Sequence, residues 1–127
     1  MNTAYRVWDG ENMHYWDDEG LSLTIKNNGD WTLKRLYTDV LVPVVDSTNR
    51  NAALMWGTGL KDKNGKDIYE KDIDMTANDP MIVIYKDGQY GLKFPSEIGY
   101  MDTCVYWEEC DIGGDVYQNP ELLEGAE

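Results

Sequence analysis

The stretch from Asp62 to Asp67, D-K-N-G-K-D, has the residue types of a calcium-binding loop. An EF-hand loop places acidic or amide ligands at positions one, three and five and glycine at position six. Asp62 and Asn64 fit positions one and three, but Lys66 stands at position five and Gly65 at position four. Asn-Gly instead supplies the positive φ of tight hairpin turns. The spacing therefore predicts a structural turn.

His14 is the only histidine in the chain and the only imidazole that a catalytic triad could use. Triads assemble in space, so a Ser-His-Asp or Cys-His arrangement has to be judged on further signals. The chain has no nucleophile-elbow motif, and His14 lies between Met13 and Tyr15 in a strand-like segment. We therefore predict a strand histidine whose ring faces solvent.

Adjacent acids are the other catalytic candidates, because glycosidases use two carboxylates across a cleft. Neighbouring residues of a strand point to opposite faces, so Glu108 and Glu109 would not act together. A chain with 24 acidic residues produces such neighbours by chance, which also accounts for Asp17, Asp18 and Glu19 as a solvated surface. We predict no catalytic, cofactor-binding or metal-binding residue and leave binding residues unassigned. A metal-dependent enzyme of unrecognised type is the remaining enzymatic hypothesis.

The two cysteines, Cys104 and Cys110, are expected to be free thiols, with their redox state left open. The first residues lack the basic and apolar regions of a signal peptide, and no apolar run approaches the length of a membrane span. These features predict an intracellular protein, where disulfides are rare. A single histidine and the lack of a C-x-x-C pair argue against zinc.

The formal net charge of −13 is unevenly distributed. Residues 94–127 contain nine acidic residues and no Lys or Arg, whereas charges balance within residues 21–93. Direct binding to nucleic acid or to an anionic membrane requires clustered basic side chains, so we expect neither. Such acidity commonly serves solubility. The alternative is an acidic decoy that mimics DNA and occupies a host nucleic-acid-binding protein.

Turn signals recur between apolar segments and predict a mainly β fold with little helix. Asn-Gly or Asp-Gly pairs, typical of two-residue hairpin turns, occur at residues 9–10, 28–29, 64–65 and 87–88. Around the second pair, alternating apolar residues predict one buried and one wet face. These residues are Leu21, Leu23 and Ile25 before the turn, and Trp31 and Leu33 after it.

Pro43 interrupts the apolar run V-L-V-P-V-V and either demotes it to an edge strand or breaks it, because proline has no amide hydrogen for a sheet. The best domain boundary follows this run. It separates an N-terminal β-hairpin region, residues 1–50, from a second region, residues 51–127. One continuous domain is the alternative.

Helix signals are weak. Residues 47–56 could form a short turn or helix with Ser47 or Thr48 at its start. Asn119 followed by Pro120 predicts either a two-turn helix ended by Gly125 or an extended tail. The pair at residues 113–114, Gly-Gly, indicates a bulge.

Three segments resemble the YopX family of phage and prophage proteins. Leu54 begins L-M-W-G-T-G-L-K-D-K-N-G-K-D-I-Y-E-K-D-I, close to the family pattern L-M-Q-x-T-G-L-K-D-K-N-G-x-x-I-Y-E-G-D-I-V. Gly114 begins G-D-V-Y-Q-N-P-E-L-L, close to G-N-I-Y-E-N-P-E-L-L, and Tyr5 begins Y-R-V-W-D, similar to F-R-A-W-D. Trp56 and Lys71 stand where the pattern has Gln and Gly.

The resemblance implies a mainly β protein with an SH3-type small barrel in its C-terminal half, a phage or prophage origin, and the bacterial cytoplasm as its location. It supplies no catalytic residue and no cofactor. The resemblance does not distinguish a structural from a functional role for the two shared motifs, which run from Thr58 to Lys66 and from Asn119 to Leu123. We predict a non-catalytic protein-interaction or assembly module that binds a protein partner or self-associates as a homo-oligomer.

Overall fold

The computed structural model describes residues 4–77, 79–95 and 101–124. They form two compact units, Ala4–Met55 and the residues from Trp56 onward. The predicted mainly β class is confirmed, because strands dominate the described residues and the helical ones lie in two short 3-10 helices: Trp107–Glu109 and Pro120–Leu123.

The N-terminal unit is built from antiparallel hairpins. β1 (Tyr5–Trp8) pairs with β2 (Met13–Tyr15). A three-stranded sheet follows in the order β3 (Leu21–Ile25), β4 (Trp31–Tyr37) and β5 (Val40–Asp46). The buried core of the unit consists of Val7, Trp31, Leu33 and Val45.

The hairpin of β3 and β4 has the buried face that the alternating pattern predicted, except at one position. Leu21 and Leu23 pack against the core that contains Trp31 and Leu33. Ile25 is 48% exposed, so its predicted burial is wrong. It is the last residue of β3, and although it pairs with the buried Trp31, its own side chain lies largely in solvent.

Pro43 lies in β5, an edge strand of the three-stranded sheet, which confirms that prediction. Pairing with β4 is irregular there, since Leu33 pairs with Val45 but Lys34 pairs with Pro43. Val44 is therefore the extra residue of a bulge, and the edge strand tolerates a proline without losing a ladder bond to a second neighbour.

The C-terminal unit is also built from antiparallel strands. β6 (Ala53–Lys61) continues into this unit and pairs with β7 (Asp67–Tyr69). A four-stranded antiparallel sheet has the order β10 (Gln89–Lys93), β9 (Met81–Lys86), β8 (Asp72–Asp74) and β11 (Ile112–Asp115). The core cluster consists of Ile68, Val83, Leu92, Cys110 and Ile112.

All four Asn-Gly and Asp-Gly pairs lie in hairpin connections, but they differ in loop length. Asp87 and Gly88 form a two-residue turn with φ angles of 54° and 83°, as the pattern predicted. The other three pairs lie in longer loops of four or five residues, so their predicted two-residue turns are wrong: 9–12, 26–30 and 62–66.

A further two-residue turn joins β4 to β5. Tyr37 pairs with Val40 across Thr38 and Asp39, whose φ angles are 47° and 69°. The sequence did not indicate this turn, because threonine rarely adopts positive φ. The pairing of the two strands imposes the conformation.

The two weak helix signals resolve differently. Residues 47–51 are mostly turn, and β6 begins at Ala53. Pro120 opens a single 3-10 turn, shorter than the predicted helix, and the predicted stop at Gly125 lies outside the described residues. The bulge predicted at residues 113–114 is confirmed, since the pairing of β11 with β8 shifts between Ile112 and Gly114.

Lys71 occupies a backbone conformation that favours glycine. Its φ is 70°, its amide donates to the carbonyl of Val83 at 2.8 Å, and its carbonyl accepts from the amide of Val116 at 3.0 Å. A left-handed conformation costs a non-glycine residue about 1–2 kcal/mol, and glycine keeps both bonds. The departure from the family pattern at this position is therefore a local cost in stability.

Lys71→Gly is expected to raise the free energy of unfolding by about 0.5–1 kcal/mol, after the greater chain entropy of glycine is subtracted. Urea unfolding of the two proteins measures the difference. Lys86→Gly is the matched control, because Lys86 ends β9 at an ordinary φ and should lose stability instead. A Lys71→Gly protein less stable than the parent would contradict the strain argument.

Candidate functional site

Asp62, the first residue of the calcium-like loop, is a buried structural acceptor. Its Oδ1 accepts the amides of Asn64 and Lys66, both at 2.9 Å, and its Oδ2 accepts the amide of Ile112 at 3.0 Å. The side chain therefore fixes the loop after β6 and ties it to the start of β11. Three directed backbone bonds account for this carboxylate without a metal ion.

The electrostatics of Asp62 follow from these contacts. Burial by itself raises the pKa of its carboxyl, but the amides of Ile112, Lys66 and Asn64 favour the ionised form and hold the pKa below its usual value. A second link to the same segment comes from Lys63, whose amide donates to the carbonyl of Cys110 at 3.0 Å. The motif that begins at Thr58 thus has a structural role.

Three further aspartates of the C-terminal unit are buried and accept backbone amides. Asp72 accepts from Tyr69 at 2.7 Å, and Asp74 accepts from Asp111 at 3.0 Å. Asp115 accepts the amide of Tyr117, two residues further along the chain, at 2.9 Å. Together with Asp62 they make four buried aspartates, and no sequence motif had indicated the burial of Asp72, Asp74 or Asp115.

Asn119, the first residue of the second shared motif, packs on Gly114. Its Oδ1 accepts the amide of Asp115 at 3.2 Å, and its own amide donates to the carbonyl of Asp115 at 2.9 Å. A Cβ at Gly114 would lie 2.6 Å from Cγ and 2.8 Å from Cβ of Asn119. Asn119 stands at the N-cap of the 3-10 helix with Pro120 behind it, but its side chain makes no capping bond and closes the loop after β11 instead.

His14 lies in strand β2 as predicted, but the prediction that its ring faces solvent is wrong. Its side chain is 14% exposed and lies between Asp9 and Arg35. Arg35 Nη2 donates to Nδ1 at 3.1 Å, which places the ring proton of neutral His14 on Nε2, 2.7 Å from Asp9 Oδ2. Both ring nitrogens are therefore occupied by structural partners, and no nucleophile is bonded to either within the described part of the chain.

Asp9 organises the loop between β1 and β2. Burial raises its pKa, but the amide of Asn12, the ring of His14 and the amide of Glu11 together lower it below the usual value. The loop amides of Glu11 and Asn12 lie 2.8 and 2.7 Å from Oδ1. This Asp-Gly pair is therefore held by an aspartate cap and not by a two-residue turn.

Of the adjacent acids, Glu109 lines a pocket together with Asp74 and Asp102, whereas its neighbour Glu108 does not. Glu108 and Glu109 lie exposed on the 3-10 helix Trp107–Glu109, so the assumption that they alternate along a strand is wrong. Asp18 accepts the amide of Tyr15 at 2.9 Å and closes a turn. Among the residues that the structure describes, no cluster of three or more His, Cys, Asp or Glu could hold a metal ion.

The two cysteines have different environments. Cys104 is exposed and Cys110 is buried, and both are free. Burial, followed by the charges of Asp74 and Asp62, raises the pKa of Cys110 to about 12. A thiol with that pKa is protonated at neutral pH and is a poor nucleophile.

The feature that sequence reasoning missed is a pocket lined by three aromatic residues and one acid. It has a volume of about 330 Å³ and lies within the C-terminal unit, between Trp56, Glu70, Tyr85 and Tyr90. Tyr85 and Tyr90 are a cross-strand pair, and their ring centroids are 4.8 Å apart at an angle of 65°. The two-residue turn at residues 87–88 was the signal that could have placed these rings together.

Main-chain bonds position the other two members of the pocket. The amide of Trp56 donates to Glu70 Oε1 at 2.8 Å, and the amide of Glu70 donates to the carbonyl of Trp56 at 3.1 Å. Tyr90 Oη donates to the carbonyl of Gly57 at 3.4 Å. Burial, followed by the Glu70 carboxylate and the neighbouring Tyr85, raises the pKa of Tyr90, so this phenol stays protonated at neutral pH.

No helix in the described ranges is both long enough and apolar enough to span a membrane. A family model described as YopX protein matches residues 4–124. The SPbeta prophage-derived uncharacterized protein YopX of Bacillus subtilis (strain 168) is 60% identical over an alignment of 136 positions, which covers 99% of each chain.

Solved structures are similar along nearly the whole chain. The X-ray structure of yopX from Bacillus subtilis has a TM-score of 0.77 at 57% identity and is matched over 98% of this chain and 100% of that one. A crystal structure of an Enterococcus faecalis protein has a TM-score of 0.60 at 22% identity, over 95% and 97% of the two chains. At that identity the second likeness shows the fold alone.

Proposed function

Because this chain belongs to the YopX protein family, as its motifs predicted, we propose that it is a phage-derived, non-catalytic protein-interaction module of the bacterial cytoplasm. The origin rests on the relative described as prophage-derived. The proposal that it is not an enzyme is supported by the candidate residues themselves. His14 has structural partners on both nitrogens, and Asp62 is used by three backbone amides.

The observation that carries the proposal is the exposed apolar end of the β4–β5 hairpin. Five large hydrophobic side chains lie there with exposed fractions between 39% and 60%: Leu36, Tyr37, Val40, Leu41 and Val42. Leu36 pairs with Leu41 and Tyr37 with Val40, so apolar side chains are exposed on both faces of the hairpin. A contiguous apolar surface of this kind marks an interaction site.

The edge position of β5 favours self-association as the first form of this contact. An edge strand presents backbone groups that a second strand can pair with, and apolar side chains on both faces add to the buried area. A two-fold contact between two β5 strands would cover the same surface on each copy. A different protein partner on this hairpin is the second form.

We extend the proposal to an SH3-type small barrel in the C-terminal unit and to a domain boundary near residues 50 and 51. Two features support the barrel. The strands β10-β9-β8-β11 form an antiparallel sheet in that order, and β6 and β7, which precede them in the chain, pair with each other. The acidic decoy remains a prediction with less support, because Asp115 in the acidic C-terminal segment is buried. Salt-sensitive competition with DNA would test it.

Light scattering from dilute to concentrated solution tests the interaction surface. The parent protein is expected to exceed the monomer mass as concentration rises, and Leu41→Lys should restore the monomer by placing a charge in the apolar contact. Leu60→Lys is the matched control, because Leu60 is 43% exposed but lies in β6, outside the hairpin. A strict monomer that also captures no partner from infected cells would refute the proposal.

A further inference from the structure

The aromatic pocket of Trp56, Glu70, Tyr85 and Tyr90 is the strongest unassigned feature of the C-terminal unit. Trp56 and Tyr85 are 38% and 53% exposed, so two of its three rings are open to a ligand. The two bonds between Trp56 and Glu70 fix the main chain at Trp56 and the carboxylate of Glu70, and the cross-strand contact orients the two tyrosine rings. Much of the pocket lining is therefore preorganised.

Its chemistry favours a cation. The faces of tryptophan and tyrosine carry negative electrostatic potential and attract ammonium and guanidinium groups. Glu70 adds a carboxylate to the lining, and because a carboxylate can accept about four hydrogen bonds, it can receive a guanidinium beside the bonds it already makes, including the one from the amide of Trp56. Lys86 follows Tyr85, but strand alternation directs it to the opposite face of β9.

Size and long-range charge favour a single side chain of a basic segment. A volume of about 330 Å³ is at the small end of ligand pockets and suits one long side chain. The net charge of −13 attracts basic partners and repels acidic ones. Arginine suits the site better than lysine, because its planar guanidinium stacks on rings and pairs with carboxylates.

We propose that this pocket binds an arginine side chain presented by a basic segment of a partner protein. The guanidinium stacks between Trp56 and the tyrosines and pairs with Glu70. The inference rests on the proposed function, because it specifies the chemistry of a partner. It concerns a surface of the C-terminal unit that shares no residue with the β4–β5 hairpin.

The pocket is in part particular to this chain. Trp56 stands where the family pattern has Gln, so the largest ring of the pocket is not required by the shared motif. Trp56→Gln therefore removes the ring while installing a residue compatible with the fold. Glu70→Gln removes the charge and retains an oxygen that can accept from the amide of Trp56.

Titration of the full-length chain with short peptides, followed by amide and indole NMR signals, tests the inference. The probe is acetylated and amidated Gly-Gly-Arg-Gly-Gly, and the matched peptide has citrulline, a neutral isostere, in place of arginine. The arginine peptide is expected to shift the signals of Trp56, Tyr85 and Tyr90. The citrulline peptide should bind at least about tenfold more weakly. Added salt should weaken the binding of the arginine peptide, because it screens the attraction between the charges.

The variants sharpen the test. Glu70→Gln and Trp56→Gln should each weaken arginine-peptide binding by about tenfold or more, with a well-dispersed spectrum as evidence that the variant folds. Equal binding of the two peptides, or tighter binding of Gly-Pro-Pro-Pro-Gly, would overturn the inference in favour of an apolar pocket. An arginine peptide that leaves all three signals unmoved would also overturn it.

Different results would overturn the proposal for the β4–β5 hairpin and the proposal for the aromatic pocket. Leu41→Lys is expected to abolish self-association and leave arginine-peptide binding unchanged. Self-association that persists while the arginine peptide does not bind overturns the pocket alone. Arginine binding by a strictly monomeric parent overturns the role of the hairpin in self-association and leaves the pocket standing as the contact with a partner protein.

Discussion

Asp62→Ala is expected to lower the free energy of unfolding by about 3–5 kcal/mol, because it leaves three backbone amides without their charged acceptor. The buried amide of Ile112 is the most costly, since Asp62 is 5% exposed and water has little access. Urea unfolding at pH 7 measures the loss. Asp62→Asn should lose less, because its oxygen can still accept from Asn64 and Lys66 while its amide group opposes the Ile112 N–H.

The matched control for Asp62 is Asp67→Ala, at the other end of the same loop. Asp67 pairs with Lys61 at 2.7 Å, but both side chains are more than 60% exposed. Exposed ion pairs contribute about 1 kcal/mol or less, so this variant should remain close to the parent. Equal losses at the two positions would show that the buried carboxylate has no special structural role.

The effect of Asp62 also has a pH signature. Its pKa in the folded protein lies below the value of about 3.9 expected in the unfolded chain. Its contribution is therefore complete above that value and is lost as the pH falls through the folded pKa. The stability difference between the parent and Asp62→Ala should be constant near neutral pH and shrink below about pH 4.

Gly114→Ala is expected to cost about 2–4 kcal/mol, although Gly114 does not have a positive φ. The new methyl group would lie 2.6 Å from Cγ of Asn119, whose side chain is bonded to the amide of Asp115. Either the bond breaks or the loop after β11 moves. The change in the urea midpoint measures this cost.

Gly113→Ala is the control for Gly114→Ala because it is the neighbouring glycine and also has a close contact. Its methyl group would meet Cγ of Met75 at 2.6 Å, but a methionine side chain can move away, so the cost should be about 1 kcal/mol or less. Adding Asn119→Gly removes the three atoms that crowd Gly114. The double variant should then lose less stability than the sum of the single changes, and strict additivity would contradict the proposed clash.

The sequence predicted local features wherever the residue type imposes the conformation. The Asp87-Gly88 turn follows from the positive φ that these residues tolerate, and the edge position of Pro43 follows from its missing amide hydrogen. The Thr38-Asp39 turn has no such signal. There the pairing of β4 with β5 overrides the local preference of threonine.

The side chains of the shared motifs could not be assigned a role from the sequence, because their partners are distant in the chain. Asp62 accepts from the amide of Ile112, fifty residues away, and this long-range bond explains a loop that resembles a calcium site. Asn119 stands at the N-cap as its sequence position suggests, but its side chain instead packs on Gly114 and bonds to the amide of Asp115. The exposure of Ile25 is a smaller case, because its cross-strand partner Trp31 is buried.

By itself, the sequence determined the mainly β class, several turns, the family and the acidic charge, because these depend on residue type, period and composition. The tertiary structure alone decided which acids are buried, which ring nitrogens of His14 are occupied, and that Trp56, Tyr85 and Tyr90 surround one pocket with Glu70. Those properties depend on distances between residues far apart in sequence. Burial and strand pairing set these distances, and no local pattern records them.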